Sequence, residues 1–169
     1  DSSAMFVPAD TFKISYEIEF QHPVIGKQSF DMTFSDEAYE KEICAAQTFG
    51  FLKDLEFLQA RGLALGGSLK NAIVLDDQKI INKEGQRMPL VFVRHKILDA
   101  IGDLFLLGMP IIGHFIAYKS GHRLNNLLLR ELMSQPECWE IVTGTDRQTH
   151  QKLHHLQIPA FRTLDAVRV

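Results

Sequence analysis

Apolar and polar residues alternate without a break over 11–20: Phe12, Ile14, Tyr16, Ile18 and Phe20 face one way, Lys13, Ser15, Glu17 and Glu19 the other. A period of two is the signature of a strand with one buried face. Phe30, Met32 and Phe34 repeat it after a loop holding Pro23 and Gly26, so the two runs predict an antiparallel hairpin. Ser35-Asp36-Glu37-Ala38 then offers a capped, acidic first turn for a helix reaching about Gln47, broken at Gly50. A short second helix is expected over 51–59, and a short buried strand over 71–75, against which 80–82 could pair back. A long helix is expected from about Leu90, stopping at Gly108-Met109-Pro110. A strand over 111–119 and a helix over 124–133 follow. Beyond Pro136 the chain turns polar, with His150, His154 and His155 close together, and a peripheral helix or frayed tail is expected there. Together these predict an α+β fold, a two-layer sandwich of helices packed on a small mixed, largely antiparallel sheet.

The long helix is the place to look for chemistry. His95, Asp99 and Asp103 recur at four-residue steps. They therefore project at roughly 0°, 40° and 80° around the axis, a single polar stripe. Ile97, Ala100, Ile101 and Leu104 fall on the opposite side, so the helix is expected to be largely buried. Burying imidazole and carboxylate is costly unless they are paired or bound to a metal. Taken alone, the i, i+4 pair His95/Asp99 suits a metal ion and equally a local hydrogen bond or ion pair.

Composition changes this picture little. The 169 residues suit one domain with a real core, and 46% hydrophobic with 23% charged residues argues against disorder. A net charge of -3 and the absence of any Lys/Arg block exclude a polyelectrolyte case for nucleic acid. Cys44 and Cys138 match no metal spacing and read as reduced thiols, and Asp1-Ser2-Ser3-Ala4 shows no signal-peptide pattern, so the cytoplasm is the expected compartment.

Two further segments invite comparison with the stripe. Tyr118-Lys119-Ser120-Gly121-His122 with Leu124-Asn125-Asn126 places a histidine where a strand feeds a helix. As a plain turn, it would use Ser120 or Asn125 to cap that helix. Thr48-Phe49-Gly50-Phe51, followed by Gly62-Leu63-Ala64-Leu65-Gly66-Gly67-Ser68, contains no phosphate-cradling glycine motif. It suits either a helical hairpin with core aromatics or an apolar groove closed by loops.

Taken in chain order, 48–51, 62–68, 93–104 and 118–126 resemble the second domain of the bacterial UDP-3-O-acyl-N-acetylglucosamine deacetylase family, the zinc enzymes of lipid A biosynthesis in Gram-negative bacteria. The resemblance extends from Phe12 to about Val142 and includes Phe20-Gln21-His22-Pro23. It implies that His95 and Asp99 are Zn²⁺ ligands, that Asp103 positions His122, and that His122 is the acid that helps the amine leave. It implies that Thr48 hydrogen-bonds the tetrahedral intermediate. Lys96 and Lys119 would contact the sugar nucleotide, and Phe49 and Phe51 would pack around the hexosamine. The helix after Phe51 and the segment from Leu63 to Ala72, with Gly67, would wall the passage for the acyl chain. The implied reaction is hydrolysis of the N-acetyl group, in which zinc polarises the carbonyl and activates a water.

The resemblance also implies something missing. The family's third zinc ligand, a histidine, and its glutamate base belong to a first domain, and a catalytic zinc normally has three protein ligands. Residues 1–10 are expected to be a remnant of that domain or a linker, with 11–169 forming the second, zinc- and acyl-binding domain. Asp1-Ser2-Ser3-Ala4 resembles a stretch near the first domain's end, which suggests a trimmed chain. Smaller departures are Met88-Pro89-Leu90-Val91, where the family is acidic, and His114, where a small residue is usual. Two readings follow: the second half of a deacetylase acting on UDP-3-O-acyl-N-acetylglucosamine with an N-terminal partner domain, or a ligand-binding fragment without turnover. Nucleic acid is excluded as a partner, and membrane contact is at most peripheral.

Overall fold

In the computed structural model, residues 1–143 and 165–169 are described. The alternating run forms β2 (Phe12–Glu19), which pairs antiparallel with β3 (Lys27–Thr33) in the register Ile14↔Met32 and Tyr16↔Phe30. Its apolar positions Phe12, Ile14, Tyr16 and Ile18 are all buried. The other central strand is β6 (Ile111–Tyr118), parallel to β2. Ser3–Val7 forms β1, antiparallel to β6 from Ser3↔Tyr118 to Val7↔His114, so the N-terminal residues are part of this sheet. On the same strand β8 (Asp165–Arg168) pairs parallel at Ile111 and Ile112, and carries β7 (Glu140–Thr143) antiparallel beyond it. The result is a mixed six-stranded sheet with helices packed on it, the α+β architecture the pattern predicts.

α1 (Asp36–Glu42) starts as expected, with the Ser35 hydroxyl accepting from the Ala38 N–H, but ends five residues before Gln47. Ile43 is fully buried, and the chain turns there instead of continuing the helix. The segment read as a helix break is a strand, β4 (Thr48–Phe51), which lies parallel to β5 (Ala72–Leu75) with α2 (Leu52–Gln59) in the crossover. A single antiparallel bridge, Leu75↔Ile80, is what remains of the expected return pairing.

α3 (Val91–Leu104) begins one residue after Leu90, which follows Pro89 and adopts a left-handed conformation with φ of 53°. The helix ends through a 3₁₀ turn (Phe105–Leu107) and the left-handed Gly108, φ 79°. Its buried residues are Val91, Phe92, Val93, Ile97, Ala100, Ile101 and Leu104, so the stripe of His95, Asp99 and Asp103 runs along the opposite edge. α4 (His122–Ser134) packs against α3 and β1, and sets His122 beside that stripe.

The C-terminal region departs from the peripheral helix or tail. Its described parts are a 3₁₀ turn (Pro136–Cys138) and the strands β7 and β8, with Val167 fully buried against β6. The physical reason is that β6 has one edge free beyond β1, and Val167 both fills core and donates its N–H to the Pro110 carbonyl. The three clustered histidines 150, 154 and 155 lie outside the described residues.

Candidate functional site

Helix geometry brings the stripe together as its spacing requires. His95 Nδ1 lies 3.3 Å from the carbonyl oxygen of Ala46, which the turn after α1 presents. A carbonyl only accepts, so Nδ1 carries the proton and donates. That leaves the lone pair of a neutral ring on Nε2, and Nε2 faces Asp99 Oδ1 at 3.3 Å. Two electron-donating atoms converging on one point suit a cation between them, and ligand histidines commonly donate their second N–H to a carbonyl in this manner. A nitrogen and an oxygen bound tetrahedrally at about 2.05 Å would stand roughly 3.3 Å apart. The pair therefore fits a divalent metal as two of its ligands. Among the described residues no group of three His, Cys, Asp or Glu side chains could hold a metal unaided.

One turn along, Asp103 grips His122: each carboxylate oxygen is 2.9 Å from Nδ1. The ring's Nε2 is thereby turned toward the His95/Asp99 pair, 4.0 Å from Asp99 Oδ2. Behind this contact lies a chain the sequence did not reveal. Asn125 Nδ2 donates to Asp103 Oδ2 at 2.8 Å, the Ser120 hydroxyl donates to Asn125 Oδ1 at 2.6 Å, and the Tyr16 hydroxyl donates to the Ser120 carbonyl at 2.7 Å. Asn125 is fully buried. Neither Ser120 nor Asn125 caps α4: Gly121 occupies the cap position without a side-chain bond. The signal available was the spacing of His122 and Asn125, which lie on one helical face three residues apart.

The remaining predicted residues divide into three groups. Lys96 stands beside the metal pair, with Nζ donating to Asp99 Oδ2 at 2.8 Å. Lys119, in a left-handed conformation with φ of 52°, extends toward Glu19 at 3.5 Å. The Tyr118 hydroxyl also donates to Glu19, and this bond followed by the lysine charge holds the Glu19 carboxyl below the usual range. Thr48, Phe49, Phe51, Gly67 and Ala72 line one groove of about 490 Å³ between β4, α2 and the loop before β5. Leu63 does not line it; its side chain is exposed, and Ala64 takes the wall position.

The groove adds Phe20 and Val74, which the strand patterns assign to the core, and Asp54, Leu55, Leu58 and Ser68, from the helix after Phe51 and the 63–72 segment that the resemblance makes its wall. Phe49 joins groove to stripe, its ring edge-on to Phe92 at 4.9 Å and to His95 at 6.2 Å. His22 braces the far wall. Its Nε2 donates to the Asp76 carbonyl at 2.8 Å, its Nδ1 accepts from Val24 N–H at 3.2 Å, and its ring lies 5.6 Å from Phe51.

Fold and site thus define an α+β domain with a histidine–carboxylate centre opening beside an apolar groove. The family model described as UDP-3-O-acyl N-acetylglycosamine deacetylase matches residues 1–134. Among curated proteins, the UDP-3-O-acyl-N-acetylglucosamine deacetylase of Syntrophus aciditrophicus (strain SB) is 56% identical over 173 residues, covering 99% of this chain and 55% of its own length. The protein of the same description from Myxococcus xanthus (strain DK1622) is 55% identical over 148 residues, 88% of this chain and 47% of its own. That of Pasteurella multocida (strain Pm70) is 54% identical over 150 residues, 88% and 49% respectively. The chain belongs to the UDP-3-O-acyl-N-acetylglucosamine deacetylase family. It spans about half the length of the curated relatives it matches.

Proposed function

We propose that this chain supplies the second half of the active site of a zinc-dependent deacetylase. The reaction is hydrolysis of the N-acetyl amide of UDP-3-O-acyl-N-acetylglucosamine, a step of lipid A biosynthesis. The observation that carries this reading is the convergence of His95 Nε2 and Asp99 Oδ1 at ligand spacing, within reach of the His122–Asp103 pair and beside an apolar groove. His95 and Asp99 would hold the Zn²⁺, and a partner domain would add a histidine ligand and the glutamate base; residues 1–10, expected as a remnant or linker of that domain, instead contribute β1 to this sheet. When bound, zinc supplies Lewis-acid polarisation of the amide carbonyl and a lowered pKa for water.

The chain's own groups account for the rest. Thr48, at the start of β4, donates to the oxygen that gains charge as water adds to the acetyl carbon. Protonated His122, oriented by Asp103, gives its Nε2 proton to the amide nitrogen as the C–N bond breaks, so that acetate and a free amine leave. Lys119 and Lys96 meet the sugar nucleotide, Lys96 exchanging its bond to Asp99 for that contact. Phe49 and Phe51 pack against the hexosamine, and the groove past Gly67 and Ala72 receives the 3-O-acyl chain. A reducing cytoplasm is supported by two exposed, unbridged thiols, Cys44 and Cys138.

The two-donor count favours a second reading for the chain in isolation: it binds ligand without turnover. Zinc content and deacetylase activity test both readings, measured on this chain alone and mixed with the first half of the Syntrophus aciditrophicus relative. The expected result is little zinc and no turnover alone, and gain of both on mixing. Tight stoichiometric zinc in the chain alone would overturn the missing-ligand argument. A zinc-loaded mixture without deacetylase activity would overturn the function.

A further inference from the structure

The loop closing the groove exposes what a soluble surface normally hides. Leu63, Leu65 and Leu69 are 54%, 75% and 51% exposed, and Phe57, just before them on α2, is 56% exposed. Several of the loop's polar groups are nonetheless tied down. α2 ends with Leu63 N–H donating to the Leu58 carbonyl and left-handed Gly62 donating to that of Gln59. Asn71 accepts from Ser68 N–H and donates to the Gly66 carbonyl, while Asn82 Nδ2 donates to the carbonyls of Leu69 and Ala72. Unpaired backbone groups are excluded from hydrocarbon, so such a loop would put its leucine side chains into an apolar medium while its backbone stays at the interface.

Charge identifies the medium. From 57 to 75 there is no Asp or Glu, in a chain with 21 of them, and the two charges in that stretch are Arg61 and Lys70, either side of the leucines. Arg61 is held over the Phe57 ring, 3.4 Å from its centroid, a pair suited to a boundary between apolar and charged layers.

We propose that residues 57–70 dock this protein on an anionic lipid bilayer, the leucines entering the acyl layer and Arg61 and Lys70 meeting the headgroups. Ala64, Gly67 and Ser68 of the same loop line the groove, so docking places the groove mouth at the lipid surface. Its use for drawing in an acylated substrate rests on the function proposed above; the docking itself does not.

Co-sedimentation of this chain with phosphatidylglycerol/phosphatidylethanolamine vesicles tests it, against pure phosphatidylcholine. Binding is expected to the anionic vesicles and to weaken with salt. The triple variant Leu63→Ser/Leu65→Ser/Leu69→Ser, its fold checked by circular dichroism, should bind on the order of tenfold less or weaker still. Arg61→Gln/Lys70→Gln should remove most of the salt dependence, and Leu106→Ser, 70% exposed on the 3₁₀ turn after α3, should bind as wild type. No binding to anionic vesicles, or equal binding by the folded triple variant, would overturn the proposal. Deacetylation of a water-soluble short-acyl substrate by the reconstituted halves needs no membrane, so failure of the docking and failure of the enzymatic reading are separable.

Discussion

Asp103 holds His122 with both carboxylate oxygens, each 2.9 Å from Nδ1, and is itself held by an amide that water cannot reach. Asn125 satisfies Asp103 and Ser120 at once, so removing it strands the Ser120 hydroxyl and leaves Asp103 Oδ2 with His122 alone. Asn125→Ala is expected to cost about 1–3 kcal/mol, read as a lower urea midpoint of this chain. Asn125→Asp should cost at least as much, because it sets a second carboxylate against Asp103 where a donor stood. A midpoint unchanged in both variants would mean the buried chain is no support.

The proposed function puts metal retention and proton donation in different side chains, so two alanine variants should fail differently. Asp99→Ala in the reconstituted enzyme should lose zinc, since it removes one of the two converging donors. His122→Ala should keep zinc and lose rate by about 10²–10⁴-fold, the range for a general acid. Metal analysis beside the deacetylase assay reads both. Full rate in His122→Ala would end its assignment as the acid.

What the sequence disclosed follows the length of each repeating pattern. The hairpin of β2 and β3 rests on five alternating apolar positions, and the stripe of α3 on three polar positions two helical steps apart end to end, with an apolar opposite face. β4 has four residues, Thr48–Phe51, too few for a period of two to stand out from the end of a helix. Its parallel partner lies across a crossover, a pairing with no local signature. β8 shows only through Val167, whose burial is decided by the free edge of β6. The closeness of His95 and Asp99 was legible because both lie on one helix; the Ala46 carbonyl that sets the His95 tautomer comes from a turn forty-nine residues away. Phe20 and Val74 look like core residues in sequence and line a groove in the fold, since hydrophobicity does not distinguish an inner wall from an interior.

Phe92 tests how far the core supports the site. It is fully buried, and its ring meets that of Phe49 edge-on at 4.9 Å, 82° between planes. Phe92→Ala should cost about 3–5 kcal/mol, as deletions of buried aromatic rings do. Phe92→Leu keeps most of the volume but withdraws the edge against Phe49. It should lose much less stability and still weaken the substrate's fit at the groove. Urea denaturation, and KM against kcat in the reconstituted enzyme, separate the two effects: a raised KM with kcat retained is expected for Phe92→Leu.

Tyr16 should make the fold sensitive to alkali. Burial pushes its phenol above the ordinary value of 10.0, and the nearby carboxylates of Asp99 and Asp103 push it further in the same direction. The folded chain therefore keeps the phenol neutral where the unfolded chain ionises. Above the unfolded pKa the unfolded state binds fewer protons, so stability falls as pH rises. The contribution is complete below about pH 10 and is lost progressively above it. Tyr16→Phe removes the hydroxyl that donates to the Ser120 carbonyl, and should cost about 1 kcal/mol at neutral pH. It should also flatten the alkaline limb, so that variant and wild type converge and then cross as pH rises past about 10. Urea midpoints of both proteins across that range check this, and a constant difference at every pH would show that Tyr16 is not the group responsible.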